Sequence, residues 1–224
     1  DQTYRSEHND SGLYINPALL PALSTNLRDR ENSQYTEAVK NTVLTDTIQI
    51  TRLNAFIGKT VTITGTLYDK QTGQPLTING KTVTASTTLN VTSETGEVKN
   101  VFTFDAVGMQ GKTVVATESI LVDGKEIVSH KDLNDTEQMV FFPKISTILY
   151  QDANGDKTAN DGEKIIAFDL DKNGKPVQAS DDTKPFDTNV TLTDQVIYEN
   201  LAPSKVYEVT GKLMKVNADG SLTD

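Results

Sequence analysis

Apolar and polar residues alternate with a period of two along most of the chain after Thr45. The clearest run is Thr60–Leu67, and looser alternation follows at Lys81–Ala85, Val98–Phe104 and Thr113–Ala116. Thr and Val dominate these runs, as is typical of half-buried β-strands. Turn-forming pairs separate them, for example Asn79-Gly80. Short strands with such turns predict an all-β fold of the sandwich or barrel type.

Residues 16–34 are the one stretch that departs from this alternation. Their leucines have the spacing of one helix face, interrupted by two prolines, at Leu19, Leu20, Leu23 and Leu27 with Pro17 and Pro21. The sequence therefore predicts a short helical insertion near the N-terminus, packed on the sheet.

The second half of the chain repeats blocks of the first half in the same order. Leu44–Asp46 returns as Leu192–Asp194, and Ile63–Leu67 returns as Val209–Leu213. The boundary falls near Pro143. We therefore predict a complete β-sandwich domain of the Ig-like or CnaB-like kind over residues 1–143. Residues 144–224 then form the N-terminal part of a second, homologous domain, as in tandem arrays that extend a stalk.

Charge and composition argue against two classes of partner. The chain has 31 Asp and Glu against 21 Lys and Arg, for a net charge of −10. Nucleic acid is not an expected partner, because phosphate binding needs clustered Lys and Arg. No apolar run approaches the length that spans a membrane. The chain has no cysteine, which is common in Gram-positive surface proteins, so the domain must find mechanical stability without disulfides.

The segment from His130 to Gln138, called here the His130 turn, is the strongest candidate for chemistry. Its sequence HKDLNDTEQ places a histidine among acids, and four apolar residues follow at Met139–Phe142. Gln138 therefore leads into a core strand, and the His and acids beside it are the groups that activate an amide. Taken singly, His130 and Gln138 would each be ordinary polar residues of a turn and a strand end, and Glu118 an ordinary surface acid.

Several motifs in order resemble the VaFE-type repeats of Gram-positive surface adhesins. They include GKTVVATE at Gly111–Glu118, DGKEIVSHKDLNDTEQ at Asp123–Gln138, and the linker FFPKIST at Phe141–Thr147. The resemblance covers nearly all of Thr45–Thr147 and the second copy. One departure is Thr117, where the family favours Phe.

This resemblance implies an intramolecular ester between a Thr and a Gln side chain. Gln138 matches the acyl partner, and Thr3 is the candidate nucleophile on the first strand. His130 matches the family's histidine, while Asp46 and Glu118 match its two acids. Thr147 and Asp194 hold the corresponding places in the second copy, whose Gln we expect beyond Asp224.

The chemistry follows from general principles. A Thr hydroxyl becomes a nucleophile when a base such as a carboxylate-oriented histidine takes its proton. A buried, protonated carboxyl can polarise the amide carbonyl. We expect a single autocatalytic reaction that needs no cofactor. We do not expect the chain to be an enzyme with multiple turnovers.

A possible calcium loop lies at Asp152–Glu163. Oxygen ligands fall at the positions of a calcium loop, with Lys157 in place of the usual glycine: Asp152, Asn154, Asp156, Thr158, Asn160 and Glu163. A plain acidic turn explains the same residues.

The resulting functional prediction is a structural stalk domain of an extracellular, cell-wall-anchored Gram-positive adhesin. Its expected partners are neighbouring repeats in the same chain, with host surface ligands bound through other domains. Two alternatives stay open. One keeps the architecture with a Lys–Asn isopeptide bond, and the other is a ligand-binding module that uses residues 16–34.

Overall fold

The protein is described by a computed structural model. The structure describes residues 4–5, 14–15, 20–152, 154–160, 163, 165–170, 176–178, 192–216 and 221–223. Within these residues the chain is all-β, and its helical elements are two single 3-10 turns, Asn54–Phe56 and Thr136–Gln138. The prediction of an all-β fold is therefore confirmed.

The strands are short and follow each other closely. In chain order they are β1 (Tyr4–Arg5), β2 (Tyr14–Ile15), β3 (Ala22–Arg28), β4 (Thr42–Thr51), β5 (Thr60–Asp69), β6 (Gln74–Pro75), β7 (Thr77–Ile78), β8 (Lys81–Thr82), β9 (Thr84–Asn90), β10 (Thr95–Phe104), β11 (Thr113–Val122), β12 (Lys125–His130), β13 (Met139–Phe141), β14 (Lys144–Gln151), β15 (Ile165–Leu170), β16 (Pro176–Gln178), β17 (Leu192–Glu199), β18 (Lys215–Val216) and β19 (Leu222–Thr223).

Two antiparallel sheets face each other in the first part of the chain. The first sheet has the strand order β10-β4-β3. The second sheet has the order β12-β11-β5-β6, with β13 also paired to β11 and β9 to β5. Their inner faces share two apolar clusters, one containing Leu27, Phe102 and Ala116 and the other containing Ile48 and Ile120. Strands β3 and β12 each form an edge of their sheet, and they approach each other on the same side.

The alternation seen in the sequence explains these strands. In β4 every second residue is buried and the residues between them are not. The same holds for β5 and for the last part of β10. Because successive side chains of a strand point to opposite faces, such a pattern puts one face on a core and leaves the other toward water.

The predicted helix near the N-terminus is wrong for the described part of residues 16–34. Residues 22–28 form strand β3, which pairs along its whole length with β4. Leu23 and Leu27 are four positions apart, which fits one face of a helix. Each is also two positions from Thr25, which fits one face of a strand. The three side chains therefore share the inner face of a strand. Pairing with the long neighbour β4 decides between the two periods.

The second part of the chain continues the β architecture. Strands β14, β15, β16 and β17 form a third sheet in the order β16-β15-β14-β17. Asn200 links it to the first part, because its Nδ2 donates to the carbonyl oxygen of Lys112 at 3.0 Å. Lys144 and Glu199 form an ion pair at 3.7 Å beside this contact. No helix in the described residues is long and apolar enough to cross a membrane.

Candidate functional site

A polar layer runs across five strands between the two apolar clusters. Each strand contributes one residue to this layer. An apolar residue of one cluster lies two positions before that layer residue, and an apolar residue of the other cluster lies two positions after it. The layer residues are Thr25 on β3, Asp46 on β4, Asn100 on β10, Gly65 on β5 and Glu118 on β11. Gln138 from the 3-10 turn is fully buried beside this layer. Buried polar groups are costly unless they are paired, so a whole layer of them inside a core points to function.

The His130 turn delivers the Gln138 side chain into the core. Asp135 is the N-cap of the 3-10 turn, and its Oδ1 accepts from the backbone N–H of Glu137 at 2.9 Å. The N–H of Gln138 donates to the carbonyl oxygen of Asp135 at 3.1 Å. Strand β13 begins at the next residue, where Met139 pairs with Val115 of β11. Gln138 is therefore held from both sides and is fully buried.

The side chain of Gln138 reaches the first sheet. Its Nε2 donates to Oδ1 of Asp46 at 3.3 Å, whereas its Oε1 has no hydrogen-bond donor. The oxygen of an amide carbonyl that is buried without a donor is free to accept a hydrogen bond from a polarising group, while the carbonyl carbon is the atom that a nucleophile attacks. The prediction that Gln138 is the reacting amide is compatible with this placement.

Asp46 and Glu118 form a buried carboxyl pair, called here the acid pair. Both are almost completely shielded from water. Two carboxylates only accept hydrogen bonds, so the pair can bond only when one of them carries a proton. Burial, followed by the nearby charge of Asp46, raises the pKa of Glu118 to about 10. Burial raises the pKa of Asp46 less, to about 6, because bonds from Glu118 and Gln138 favour its ionised form. Burial and the closeness of the two acids therefore favour a retained proton on the pair, and Glu118 is the more strongly shifted of the two.

His130 lies at the hydrated rim of the same site. It is directly opposite Glu118 in the pairing of β12 with β11, so the two side chains share a face. Its Nε2 is 2.8 Å from Oδ2 of Asp135, and its side chain is 28% exposed. A carboxylate can only accept, so Nε2 carries the hydrogen and Nδ1 keeps a free lone pair.

Thr25 is the hydroxyl that the structure brings to the site. It faces inward from edge strand β3, is 8% exposed, and its Oγ1 has no hydrogen-bond partner. It is a diagonal neighbour of Asp46, since Thr25 is opposite Ile48 and Leu27 is opposite Asp46. Strand β3 also runs beside the 3-10 turn that carries Gln138. Thr3, the nucleophile predicted from the sequence, lies outside the described residues.

A sequence signal for Thr25 exists, although it is short. Pro21–Thr25 reads PALST, and Pro143–Thr147 reads PKIST, so Thr25 and Thr147 hold the same place in the two copies. The registers agree as well: Leu27 is opposite Asp46, and Leu149 is opposite Asp194. The helical assignment of residues 16–34 hid this match.

In the second copy the structure shows the first-sheet half of the site. Thr147 is half-buried on β14, and Asp194 on β17 is exposed. Gly211, which corresponds to Gly65 in the sequence repeat, lies close to Asp194. The counterparts of Thr25 and Asp46 are thus paired in the same register, but Asp194 is exposed where Asp46 is buried, and their roles stay predictions.

Contacts from β3 and the loop after it hold the 3-10 turn in place. The Arg28 guanidinium forms an ion pair with Glu137 and donates to its carbonyl oxygen at 3.0 Å. The Nε2 of Gln34 donates to the carbonyl oxygen of Met139 at 2.9 Å. Arg28 and Gln34 were not found from the sequence, because their partners lie on segments that meet only in the fold. Asp135 is one of the acids of the His130 turn, and the structure shows that it is the one that contacts the histidine.

The possible calcium loop has its oxygens engaged within the loop. Asp152 accepts from the N–H groups of Gly155 and Lys157, and Asp156 accepts from Thr158 and Asn160. The N–H of Asn160 donates to Glu163. In the described part of the chain, no group of three or more His, Cys, Asp or Glu side chains is arranged to hold a metal. This geometry is that of an acidic turn, and calcium binding at Asp152, Asn154, Asp156, Asn160 and Glu163 stays a prediction without geometric support.

The layer, together with Gln138 beside it and His130 at its rim, therefore combines the groups that acyl transfer needs: a buried hydroxyl, an amide carbonyl, two carboxyl groups and a partly exposed histidine.

Comparison with known proteins agrees with this chemistry. None of the curated proteins matches the chain. The family model described as the T-Q ester bond containing domain matches residues 21–142 and again residues 143–223. The first match begins four residues before Thr25, and the second begins four residues before Thr147. Together the two matches cover most of the chain, which therefore belongs to the family of T-Q ester bond containing domains.

Proposed function

We propose that this chain is a load-bearing stalk segment of a surface adhesin, strengthened by an ester between Thr25 Oγ1 and the Gln138 side chain. The observation that carries this proposal is the burial of an unpartnered Thr25 hydroxyl and an unpartnered Gln138 carbonyl at one acid pair. The family match supports it, since the model that matches is named for a Thr–Gln ester. In this proposal the nucleophile is Thr25, in place of Thr3, which was predicted from the sequence.

The reaction balances as a single acyl transfer. His130 accepts the Oγ1 proton of Thr25, and the oxygen attacks the Gln138 side-chain carbonyl carbon. Protonated Glu118 stabilises the negative charge that develops on the carbonyl oxygen. The bond to Nε2 then breaks, the proton returns from His130 to the leaving nitrogen, and ammonia departs. One ester and one ammonia replace one hydroxyl and one amide, so each molecule reacts once.

Burial serves both the formation and the survival of the ester. Fixed partners in a folded core react with very high effective concentration, which supplies much of the rate. The same core excludes water, and an ester shielded from water resists hydrolysis. No cofactor is required by this scheme.

The role of the ester is mechanical. Thr25 lies on the first strand of the first sheet, and Gln138 immediately precedes β13, the last strand before the link to β14. A covalent bond between them carries tension past the strands between. We accordingly assign the protein to a tandem, Ig-like β-sandwich array on a Gram-positive cell wall, with neighbouring repeats as its partners and host ligands bound elsewhere.

Intact mass tests the ester directly. The native chain should be lighter than its sequence by the mass of ammonia for the first repeat. Thr25→Val keeps the β-branched shape, removes only the hydroxyl, and should restore that mass, as should Gln138→Ala. Thr117→Val is the matched control, because Thr117 is also buried but on the other face of β11. It should cross-link normally, and so should Thr3→Val. A folded native chain with full mass would refute the proposal.

Hydroxylamine separates the ester from the isopeptide alternative. Alkaline hydroxylamine cleaves an ester and spares an amide, whereas both bonds release ammonia when they form. A Lys–Asn isopeptide also needs a lysine in the core, and among the described residues every buried polar side chain is of another type. The adhesive use of residues 16–34 is not favoured either, since Arg28 and Gln34 are engaged with the 3-10 turn.

A further inference from the structure

Asn100 is the least explained member of the polar layer. It is 1% exposed, and neither its Nδ2 nor its Oδ1 has a hydrogen-bond partner. Leaving a buried donor or acceptor unpaired lowers stability, because the group has lost its bonds to water. An apolar residue of similar volume would avoid that cost, so the amide at this position calls for a functional explanation.

The register places the Asn100 amide at the acid pair. Asn100 is directly opposite Asp46 in the pairing of β10 with β4, so the two side chains lie on the same face. Its Nδ2 also crosses to the second sheet, where it would lie 3.0 Å from a side-chain carbon on Gly65. Gly65 is in turn directly opposite Glu118. Asn100 is thus next to both acids without being one.

Gly65 keeps the space that this arrangement needs. Its backbone is not in the left-handed region, so no turn requires a glycine in the middle of β5. A side-chain carbon there would instead lie 2.7 Å from the Phe102 ring and 3.0 Å from Asn100. Glycine in a strand interior is unfavourable, and it is typical of places where another group approaches closely. Here the approaching groups are Phe102 and Asn100.

We propose that Asn100 is a positioning residue of the cross-linking reaction, which supplies the hydrogen bond that Asp46 loses when Gln138 expels its amide nitrogen. This inference rests on the proposed ester. Before reaction, Gln138 Nε2 donates to Asp46. That nitrogen leaves as ammonia, so a buried carboxylate would lose its donor when the carbon–nitrogen bond breaks and the carbonyl forms again. The Nδ2 of Asn100 is a neutral donor beside Asp46 that the reaction does not consume.

The other charged groups around Asp46 explain why a neutral donor is useful there. Glu118 faces it from β11, His130 from β12, and the charge of Asp135 also acts on Glu118. The neighbouring strand β3 contributes the backbone N–H of Asn26. A cationic donor in place of Asn100 would draw the proton off Glu118, whereas an amide keeps Asp46 ionised and leaves Glu118 protonated.

Asn100→Leu tests the inference because it separates reaction from stability. The full chain would be recovered from inclusion bodies in urea, diluted into buffers across a pH series, and followed by intact mass. We expect Asn100→Leu to fold and to cross-link about tenfold more slowly below the optimum. The acid side of its rate profile should move up by about one pH unit, because replacing the Asn100 amide beside Asp46 by an apolar side chain leaves that carboxylate in less polar surroundings and raises its pKa. Asn100→Ser, which keeps a donor, should recover part of the rate.

The outcomes distinguish this inference from the proposed function. Full mass in the folded wild-type chain refutes the ester and with it the role of Asn100. Normal cross-linking in wild type together with an unchanged rate and pH profile in Asn100→Leu refutes the role of Asn100 alone. If Asn100→Leu does not fold, Asn100→Ala, which removes the donor without adding bulk, decides by the same rate and pH profile. Val98→Ala is the control, because Val98 lies on the same face of β10 but outside the polar layer, and its profile should keep the wild-type midpoint.

Discussion

At the scale of single residues, the site depends on charge that the fold holds in an unusual state. The acid pair shares one proton at neutral pH, because burial disfavours two carboxylates side by side. Glu118 can then donate where a carboxylate would repel the developing oxyanion. The cost is borne by folding, since the native state must bind a proton that the unfolded chain releases.

The raised pKa of Glu118 makes the free energy of unfolding depend on pH, and the direction of that dependence can be measured. The pKa of Glu118 is raised in the folded state to about 10, so between the ordinary carboxyl pKa and that value the native state binds more protons. Stability therefore falls as pH rises. In Thr25→Val, which cannot form the ester, we expect the free energy of unfolding to fall from about pH 5 to about pH 8, by at most about 1.4 kcal/mol per unit. Adding Glu118→Gln should flatten this slope. Urea unfolding of both proteins gives the comparison, and equal slopes would contradict the shifted pKa.

Asp135 has two roles that two substitutions separate. One carboxylate oxygen caps the 3-10 turn and the other holds His130 Nε2. Asp135→Asn can still cap the turn, but its amide N–H would face Nε2 and favour the other ring tautomer. We expect cross-linking to slow by up to about a hundredfold, while the stability of the Thr25→Val background stays within about 0.5 kcal/mol.

Asp135→Ala should slow the reaction and also cost about 1 kcal/mol for the lost cap. The measurements are the rate of ammonia loss by intact mass and the urea midpoint. Wild-type rates in Asp135→Asn would show that the carboxylate does not orient His130.

At the scale of elements, the long alternating strands were predictable and the edge strand was not. The inner faces of β5 and β10 follow from period two, because one face of each is buried over several residues. Strand β3 has seven residues, and Leu23 and Leu27 fit a helix as well as a strand. Only its pairing with β4 decides the assignment, and that pairing depends on residues far along the chain.

The same distinction explains which site residues could be found. His130 and Gln138 lie in one continuous motif, so local sequence identified them. Asn100 carries no local signal, since its place at the acid pair is set by the register of β10 with β4 and by the space over Gly65. The repeated PALST and PKIST segments do point to Thr25. This match becomes apparent only when both segments are assigned to strands.

At the scale of the whole molecule, the proposed ester would decide what an applied force or a denaturant must overcome. Phe142 and Pro143 alone separate β13 from β14, so tension reaches the first repeat with little slack in the link. Asn200 and the Lys144–Glu199 pair further tie the third sheet to the end of the first repeat. Within the first repeat, the ester would join its two load-bearing ends.

The ester should therefore raise stability chiefly by restricting the unfolded chain. Closing a loop of about 110 residues is worth about 5 kcal/mol in the chain-entropy model. We expect wild type to need more denaturant than Thr25→Val by a corresponding shift, because the deleted hydroxyl itself has no partner whose loss would cost stability. Thr147→Val, at the matching position of β14, should leave the first repeat at its wild-type midpoint. Guanidinium unfolding followed by circular dichroism, with hydroxylamine-cleaved wild type as a second uncross-linked reference, measures the difference. If wild type, Thr25→Val and the cleaved protein unfold together, the cross-link does not stabilise the stalk, and its mechanical role fails even if the ester exists.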